Sequence, residues 1–299
     1  MIMAAIPVLT IEPEVQSTRT IRHVLSVIVR DPLSLASTIV IILFILIAVF
    51  APLVAPSPEE GAGKTNVNNR LQAPSLEHPF GTDRLGRDML SRVIVGARPA
   101  LIVPIGVVLF AILIGAPLGA IAGYKGGWVD ETIMRVTDLF LAFPSLLLAM
   151  AITAALGRGL HNAAIALVVS WWPWYTRLVR GVTISLRERY FVEAAQATGV
   201  RDSIIILRHI LPNTISPVLV QATVDLGTVI LAMGSLGFLG LGTQPPSPDW
   251  GLMVAEGREF ILNQWWIAVF AGLAIFVVVL AFNLLGDTLR DIFDPRQYR

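Results

Sequence analysis

The sequence predicts an all-α integral membrane protein with six transmembrane helices, and three observations carry that expectation. Its 299 residues are 55% hydrophobic and only 14% charged, whereas soluble domains sit near about 45–50% apolar and about 25% charged. Six apolar runs recur along it, at 33–55, 100–123, 139–156, 163–175, 215–242 and 267–285. Basic residues also gather in alternate connections. With the N-terminus inside, the inner side holds Arg19, Arg22, Arg30, Lys125, Arg135, Arg177, Arg180, Arg187, Arg189, Arg201, Arg208, Arg290, Arg296 and Arg299. By the positive-inside rule both termini face the cytoplasm. A net charge of +1 gives no electrostatic case for nucleic acid. The absence of cysteine excludes disulfides, thiolate metal sites and cysteine nucleophiles.

The chain divides into an N-terminal segment 1–32, a first span 33–55, a polar extracytoplasmic loop 56–98, a core of five spans over 99–288 and a tail 289–299. Within 1–32, Ile21, Val24, Leu25 and Ile28 recur at helical spacing among Arg19, Arg22 and Arg30, which predicts a basic amphipathic helix on the inner membrane surface. Asp31-Pro32 ends it. The 33–55 run carries no charge and is too long and too far from the N-terminus for a signal core, so it reads as an uncleaved anchor. In the outer loop, Gly61-Ala62-Gly63-Lys64-Thr65 imitates the tail of a phosphate-binding loop. Pro58 stands where that pattern needs its first glycine, and no strand precedes it. Further on, Thr82 and Asp83 are placed to cap a helix start, with Arg84, Arg87 and Arg92 staggered along a solvated face.

Gly115, Gly119 and Gly123 form a small-residue ridge on which another helix can close. Pro104, Pro117, Pro144 and Pro173 are expected to interrupt or kink their spans. Trp171, Trp172, Trp174 and Tyr175, ahead of Arg177, read as an aromatic belt at the inner surface, and Trp265 and Trp266 as its outer counterpart. Asp225 is the one ionisable residue deep in a span, with Thr223 and Thr228 as local partners. It reads either as a group lining a pathway or as a hydrogen-bonded acid between helices. Asn283 in the last span is a weaker candidate of the same kind. Between the last two spans, Leu252 to Leu262 forms a short amphipathic run on the outer rim.

The polar stretch from Glu193 to Pro212, in the cytoplasmic loop 188–213, separates two long apolar runs. Glu193, Ala194 and Ala195 favour helix, Gly199 interrupts it, and a second apolar face leads to Leu211-Pro212: helix, hinge, helix. Small alanines let a partner's surface close tightly, with charge at the rim. Glu193-Ala194-Ala195, three residues, Gly199, and later Leu211-Pro212 resemble the EAA loop of permease subunits of ABC importers. His209 stands where that pattern has an isoleucine, with Ile210 next. The succession Phe80-Gly81-Thr82-Asp83, Gly86-Arg87-Asp88, Ser91-Arg92 and Gly96-Ala97-Arg98 is similar to the C-type permeases of dipeptide and oligopeptide importers, and the resemblance extends from about residue 33 to 296.

That resemblance implies a type I ABC importer transmembrane domain in the bacterial cytoplasmic (inner) membrane. It implies a second permease subunit, two ATP-binding-cassette ATPase subunits and an extracytoplasmic solute-binding protein. ATP and Mg are expected on the ATPase subunits, with no cofactor and no enzymatic site in this chain. The EAA loop of Glu193, Ala194, Ala195, Gly199, Leu211 and Pro212 would couple to the ATPase. The implied cargo is small peptides, with nickel chelates, glutathione, opines or oligosaccharides as alternatives. An ion-coupled secondary transporter is the rival class, but Asp225 is a lone acid and no inverted repeat is evident. An intramembrane hydrolase lacks HExxH, GxSxG or paired aspartates.

Overall fold

A computed structural model describes residues 26–293, all helix and connecting turns apart from one isolated bridge between Thr82 and Asp88. Residues 26–30 are helical, and the rest of the expected N-terminal amphipathic helix lies outside the described residues. Eight helices build the core and its two ends: α1 (Pro32–Val54), α2 (Met89–Lys125), α3 (Gly127–Leu141), α4 (Ser145–Leu156), α5 (Leu160–Arg187), α7 (Ile215–Phe238), α8 (Trp250–Gly257) and α9 (Trp266–Phe293). A ninth, α6 (Tyr190–Ala197), opens the polar stretch after α5.

Among the described residues four helices are long and apolar enough to cross a membrane, and five if the bent pair α3–α4 counts as one. The expected span at 139–156 is thus divided, with α3 and α4 meeting at 84°. Pro144 explains the break: it offers no N–H, and its ring pushes Phe143 out of helical geometry. The other three prolines do not break their helices, because Pro104 and Pro117 lie inside the continuous α2 and Pro173 inside α5. Neighbouring helices hold them in line at the loss of one backbone bond each. The expected 163–175 span is only the apolar front of α5, whose 28 residues reach about 42 Å at a rise of about 1.5 Å per residue.

The glycine ridge packs as the sequence predicts. A Cβ on Gly115 would lie 2.7 Å from Tyr175 Cβ, one on Gly119 2.9 Å from Arg180 N, and one on Gly123 2.8 Å from the Arg180 carbonyl oxygen. The backbones of α2 and α5 therefore touch along two full turns. Across the rest of the bundle, α9 runs antiparallel to α1 and α7. Ser34 Oγ lies 2.6 Å from Thr288 Oγ1, and Gly227 and Gly286 of α7 and α9 pack on Asn283 and Val224. The first residues of α1, the end of α9 and the α5–α7 connection thus share one end of the bundle.

Much of the aromatic belt is core. Trp171, Trp172 and Tyr175 are buried against α2 and α3, and only Trp174 is open as a belt residue would be. At the other end Trp265 is open, whereas Trp266 is buried and donates its indole N–H to the Thr82 carbonyl at 3.1 Å.

That second end is a cap made by residues 57–88 and α8. The cap of α2 is Asp88, which accepts from Ser91 N at 2.8 Å, rather than Thr82 or Asp83. Asp83 accepts from Leu85 N and Arg87 N and pairs with Arg87 Nε at 2.6 Å. The expected solvated arginine face is in fact partly interior. Arg87 and Arg92 are each 1% exposed and share Asp83 and Glu256, the latter brought by α8. Three buried charges and the half-buried Glu256, of balanced sign, explain why the arginines are not in water. The Gly61–Thr65 stretch forms no phosphate cradle. It ends one helical turn, only a three-residue 3-10 turn at Val67–Asn69 follows, and Lys64 is paired with Glu59.

Candidate functional site: the loop between α5 and α7

The Glu193–Pro212 stretch folds as two arms around Gly199. The first arm is α6, with Glu193 in its first turn, where a carboxylate complements the exposed N–H groups. Val192 is its fully buried anchor, Ala195 is half-buried, and Glu193, Ala194 and Ala197 face outward. Gly199 closes the arm at φ +77, with Gly199 N donating to the Gln196 carbonyl and Val200 N to the Ala195 carbonyl at 3.0 Å. Its missing Cβ would meet nothing, so glycine is required by the backbone conformation and not by crowding.

The second arm begins as an α-helical turn, widens and then tightens. A turn at Asp202–Ile205 passes into a π-helical stretch, Ile206–Ile210, and a 3-10 turn, Leu211–Thr214, which leads directly into α7. Pro212 therefore sits in a narrowed turn and does not end the helical path. Ile205 and Ile210 are fully buried, Leu211 is half-buried, and Pro212 is exposed. His209, at the position of the family's isoleucine, packs its ring near Phe191 across the two arms, with centroids 6.5 Å apart, while Ile210 takes the buried site. The outcome is a knob with a buried aliphatic stem and an outer surface of Glu193, Ala194, Tyr190, Phe191, Ile204 and Leu207, all exposed.

Four residues fix this knob to the bundle, and sequence reasoning passed over two of them, Tyr124 and Gln196. Tyr124, in the last turn of α2, is buried and accepts from Gln196 Nε2 at 3.0 Å through its hydroxyl, which in turn faces Asp202 Oδ1 at 3.2 Å. Its carbonyl accepts from Arg187 Nη1 at 3.2 Å. The polar Tyr124-Lys125 at the end of an apolar run was the available signal. Alongside, α3 is held against α5 by a two-pronged Asp130–Arg180 pair at 2.5 and 2.6 Å and by Asp138–Arg177 at 2.6 Å.

Asp225 lies elsewhere, 7% exposed on the face of α7 that meets α5. Its partner is Gln221, whose Nε2 donates to Oδ1 at 3.0 Å. Thr223 and Thr228 instead bond back to the Leu219 and Val224 carbonyls, as hydroxyls on helices do. The Tyr175 hydroxyl is close enough to interact with the carboxylate, but outside hydrogen-bond geometry. Tyr175 Oη and Asp225 Oδ2 are therefore both buried without a bonded partner. Asn283, half-buried on α9, packs on Gly227, two residues along α7 from Asp225.

In the cap, Asp249 is the N-terminal cap of α8, accepting from Leu252 N at 2.9 Å and from Thr243 Oγ1 at 3.2 Å. Burial raises its pKa above the usual carboxylate value, against the lowering effect of those bonds.

Residues 115–299, which hold the ridge, the knob and both of its flanking helices, match the model of the family described as binding-protein-dependent transport system inner membrane component. The chain belongs to that family. Residues 21–74 of this permease also match the N-terminal TM domain of oligopeptide transport permease C. The permease is 49% identical over 267 residues to the dipeptide transport system permease protein DppC of Alkalihalophilus pseudofirmus, covering 89% of this chain and 87% of that one. It is 43% identical over 266 residues to the probable D,D-dipeptide transport system permease protein DdpC of Escherichia coli K12, covering 89% and 88%. Against the glutathione transport system permease protein GsiD of Escherichia coli the identity is 46% over 272 residues, covering 89% and 88%. An inward-facing structure of the MetNI methionine ABC transporter shares the fold at a TM-score of 0.53 and 19% identity, covering 68% of this chain and 96% of that one. The type I importer fold expected from the sequence is the one observed.

Proposed function

We propose that this permease moves small peptides inward across the inner membrane as one of two permease subunits, driven by two ATPase subunits that bind ATP and magnesium and fed by an extracytoplasmic binding protein. The observation that carries the reading is the knob: exposed apolar and acidic side chains on a buried stem, at the bundle end shared with the start of α1 and the end of α9. Soluble surface rarely presents Tyr190, Phe191, Ile204 and Leu207 together without a partner. With that end in the cytoplasm, as the basic residues suggest, Glu193 and the alanines enter a cleft on the ATPase and Gly199 sets the angle of entry. Leu211 and Pro212 pass the movement into α7.

Peptide cargo is supported by the two dipeptide-permease likenesses. Glutathione is a second reading favoured by the 46% likeness, and it is itself a tripeptide. Asp225 and Asn283 are packed between helices in this conformation, so as pathway residues they would be reached when α7 shifts against α5 and α9.

The test is uptake of a radiolabelled dipeptide by cells in which Glu193→Arg replaces the wild-type chain, at equal membrane level. Reversing charge on the docking face is expected to lower uptake at least tenfold. Crosslinking in native membranes should recover an ATPase with the wild type and not with the variant. Wild-type uptake by Glu193→Arg refutes the docking role, and uptake stopped by a proton uncoupler while ATP is clamped refutes the ATP-driven reading.

A further inference from the structure

The loop described above has to deliver its movement to the spanning helices, and its two covalent exits are only α5 and α7. A third, non-covalent exit is built at Tyr124. The hydroxyl of this buried residue touches both arms of the knob, Gln196 before Gly199 and Asp202 after it, at 3.0 and 3.2 Å. One phenol can donate once and accept from another donor. Accepting from the Gln196 amide and donating to the Asp202 carboxylate therefore uses it fully, and the bond to the carboxylate is the stronger, charge-assisted kind. The Tyr124 carbonyl holds Arg187, the last residue of α5 before the loop. Two points of the knob and the end of α5 thus converge on a single residue of α2.

What lies behind Tyr124 gives the contact its consequence. Gly115, Gly119 and Gly123 seat α2 directly against the backbone of α5 at Trp172, Thr176 and Arg180, so the two helices move as one body. The same α2 continues to the far end of the bundle, where Arg92 joins the buried charges of the cap.

From this geometry we infer that Tyr124 is a positioning residue that transmits the stroke of the loop into α2. Resting on the coupling-loop reading above, the inference goes beyond it by naming the joint. When the ATPase draws the knob aside, the two arms carry Tyr124 and hence the α2–α5 pair. Without the hydroxyl, the arms hinge at Gly199 and α2 lags behind.

The experiment uses the whole complex purified from native membranes and reconstituted in proteoliposomes, with a radiolabelled dipeptide, measuring peptide moved per ATP hydrolysed. Tyr124→Phe keeps the ring and removes one oxygen. It is expected to retain the co-purified ATPase in wild-type proportion and to lower peptide moved per ATP at least fivefold. Gln196→Leu should fall in the same direction, and the double variant Tyr124→Phe with Gln196→Leu should be no worse than Tyr124→Phe alone, since both remove one joint. Asp202→Asn, which keeps an acceptor oxygen, should retain most of the wild-type ratio.

Wild-type peptide per ATP in Tyr124→Phe overturns the inference, as does additive loss in the double variant. Loss of the ATPase from the Tyr124→Phe complex also overturns it, because the hydroxyl would then be holding the shape of the knob and not passing on its movement. The two readings fail separately: if Glu193→Arg abolishes transport while Tyr124→Phe does not, docking stands and only the joint falls.

Discussion

Gly119→Ala and Gly106→Ala place the same methyl group at two positions on α2, and the structure gives them opposite signs. In a helix interior alanine is favoured over glycine by about 0.8–1.0 kcal/mol, so propensity alone stabilises both. A Cβ on Gly106 meets nothing within 4 Å, which leaves that gain intact. A Cβ on Gly119 lies against the Thr176 carbonyl oxygen and 2.9 Å from Arg180 N, both backbone atoms of α5 that cannot rotate away. Bringing it to an ordinary separation of about 3.5 Å moves the helices apart by roughly 0.5 Å or more. Overpacking of that kind costs about 1–3 kcal/mol.

Because the propensity terms cancel, Gly119→Ala should be less stable than Gly106→Ala by about 1–3 kcal/mol. The assay is sodium dodecyl sulfate titration of the purified chain in mixed micelles, followed by its seven tryptophans. A difference below about 0.5 kcal/mol, the range of substitutions that disturb nothing, would refute the claim that α2 and α5 meet backbone to backbone.

Two further outcomes follow from local geometry. At Gly199, where φ is +77 and no atom crowds the Cβ position, asparagine should preserve most dipeptide uptake, alanine less and valine least. That order reflects a left-handed cost of about 1–2 kcal/mol for most residues, and equal uptake by the alanine and valine variants would contradict it. At Asp249 the folded pKa is raised by burial. Its contribution to stability is then fully present below the unfolded carboxylate pKa and is lost as pH rises through the folded value. Asp249→Asn should flatten the melting temperature of the purified complex across that acid window, and an unchanged pH dependence would show that the titrating group lies elsewhere.

The sequence made the spans and the two-armed loop around Gly199 legible because both are local signals. An apolar run of roughly twenty residues and an alanine pair before a glycine are read within one stretch of chain. What escaped depended on partners far along it. The polar half of α5 continues as helix because Arg177 and Arg180 meet Asp138 and Asp130, 39 and 50 residues earlier. Trp171 and Trp172 are core because the glycine ridge lets α2 come close enough to cover them. Tyr124 is a hub only through Gln196 and Asp202, more than 70 residues later. Asp225 is buried between helices with Gln221 as its partner, and Gln221 was missed because a glutamine one helical turn away carries no distinctive pattern.

The buried charges of the cap impose an order on biosynthesis. Arg87 precedes Glu256 by 169 residues, so the ribosome finishes α2 through α7 and most of α8 before the second acid exists. Until then Asp83 alone serves two guanidinium groups, and an uncompensated buried cation costs several kcal/mol. The start of α2 must therefore stay hydrated while the chain is made, and it locks only when α8 arrives. Nascent chains stalled before Glu256 should expose the 78–92 region to protease on the far side of the membrane, and chains stalled beyond α9 should protect it. The cap in this way acts as a completion check on the polypeptide itself.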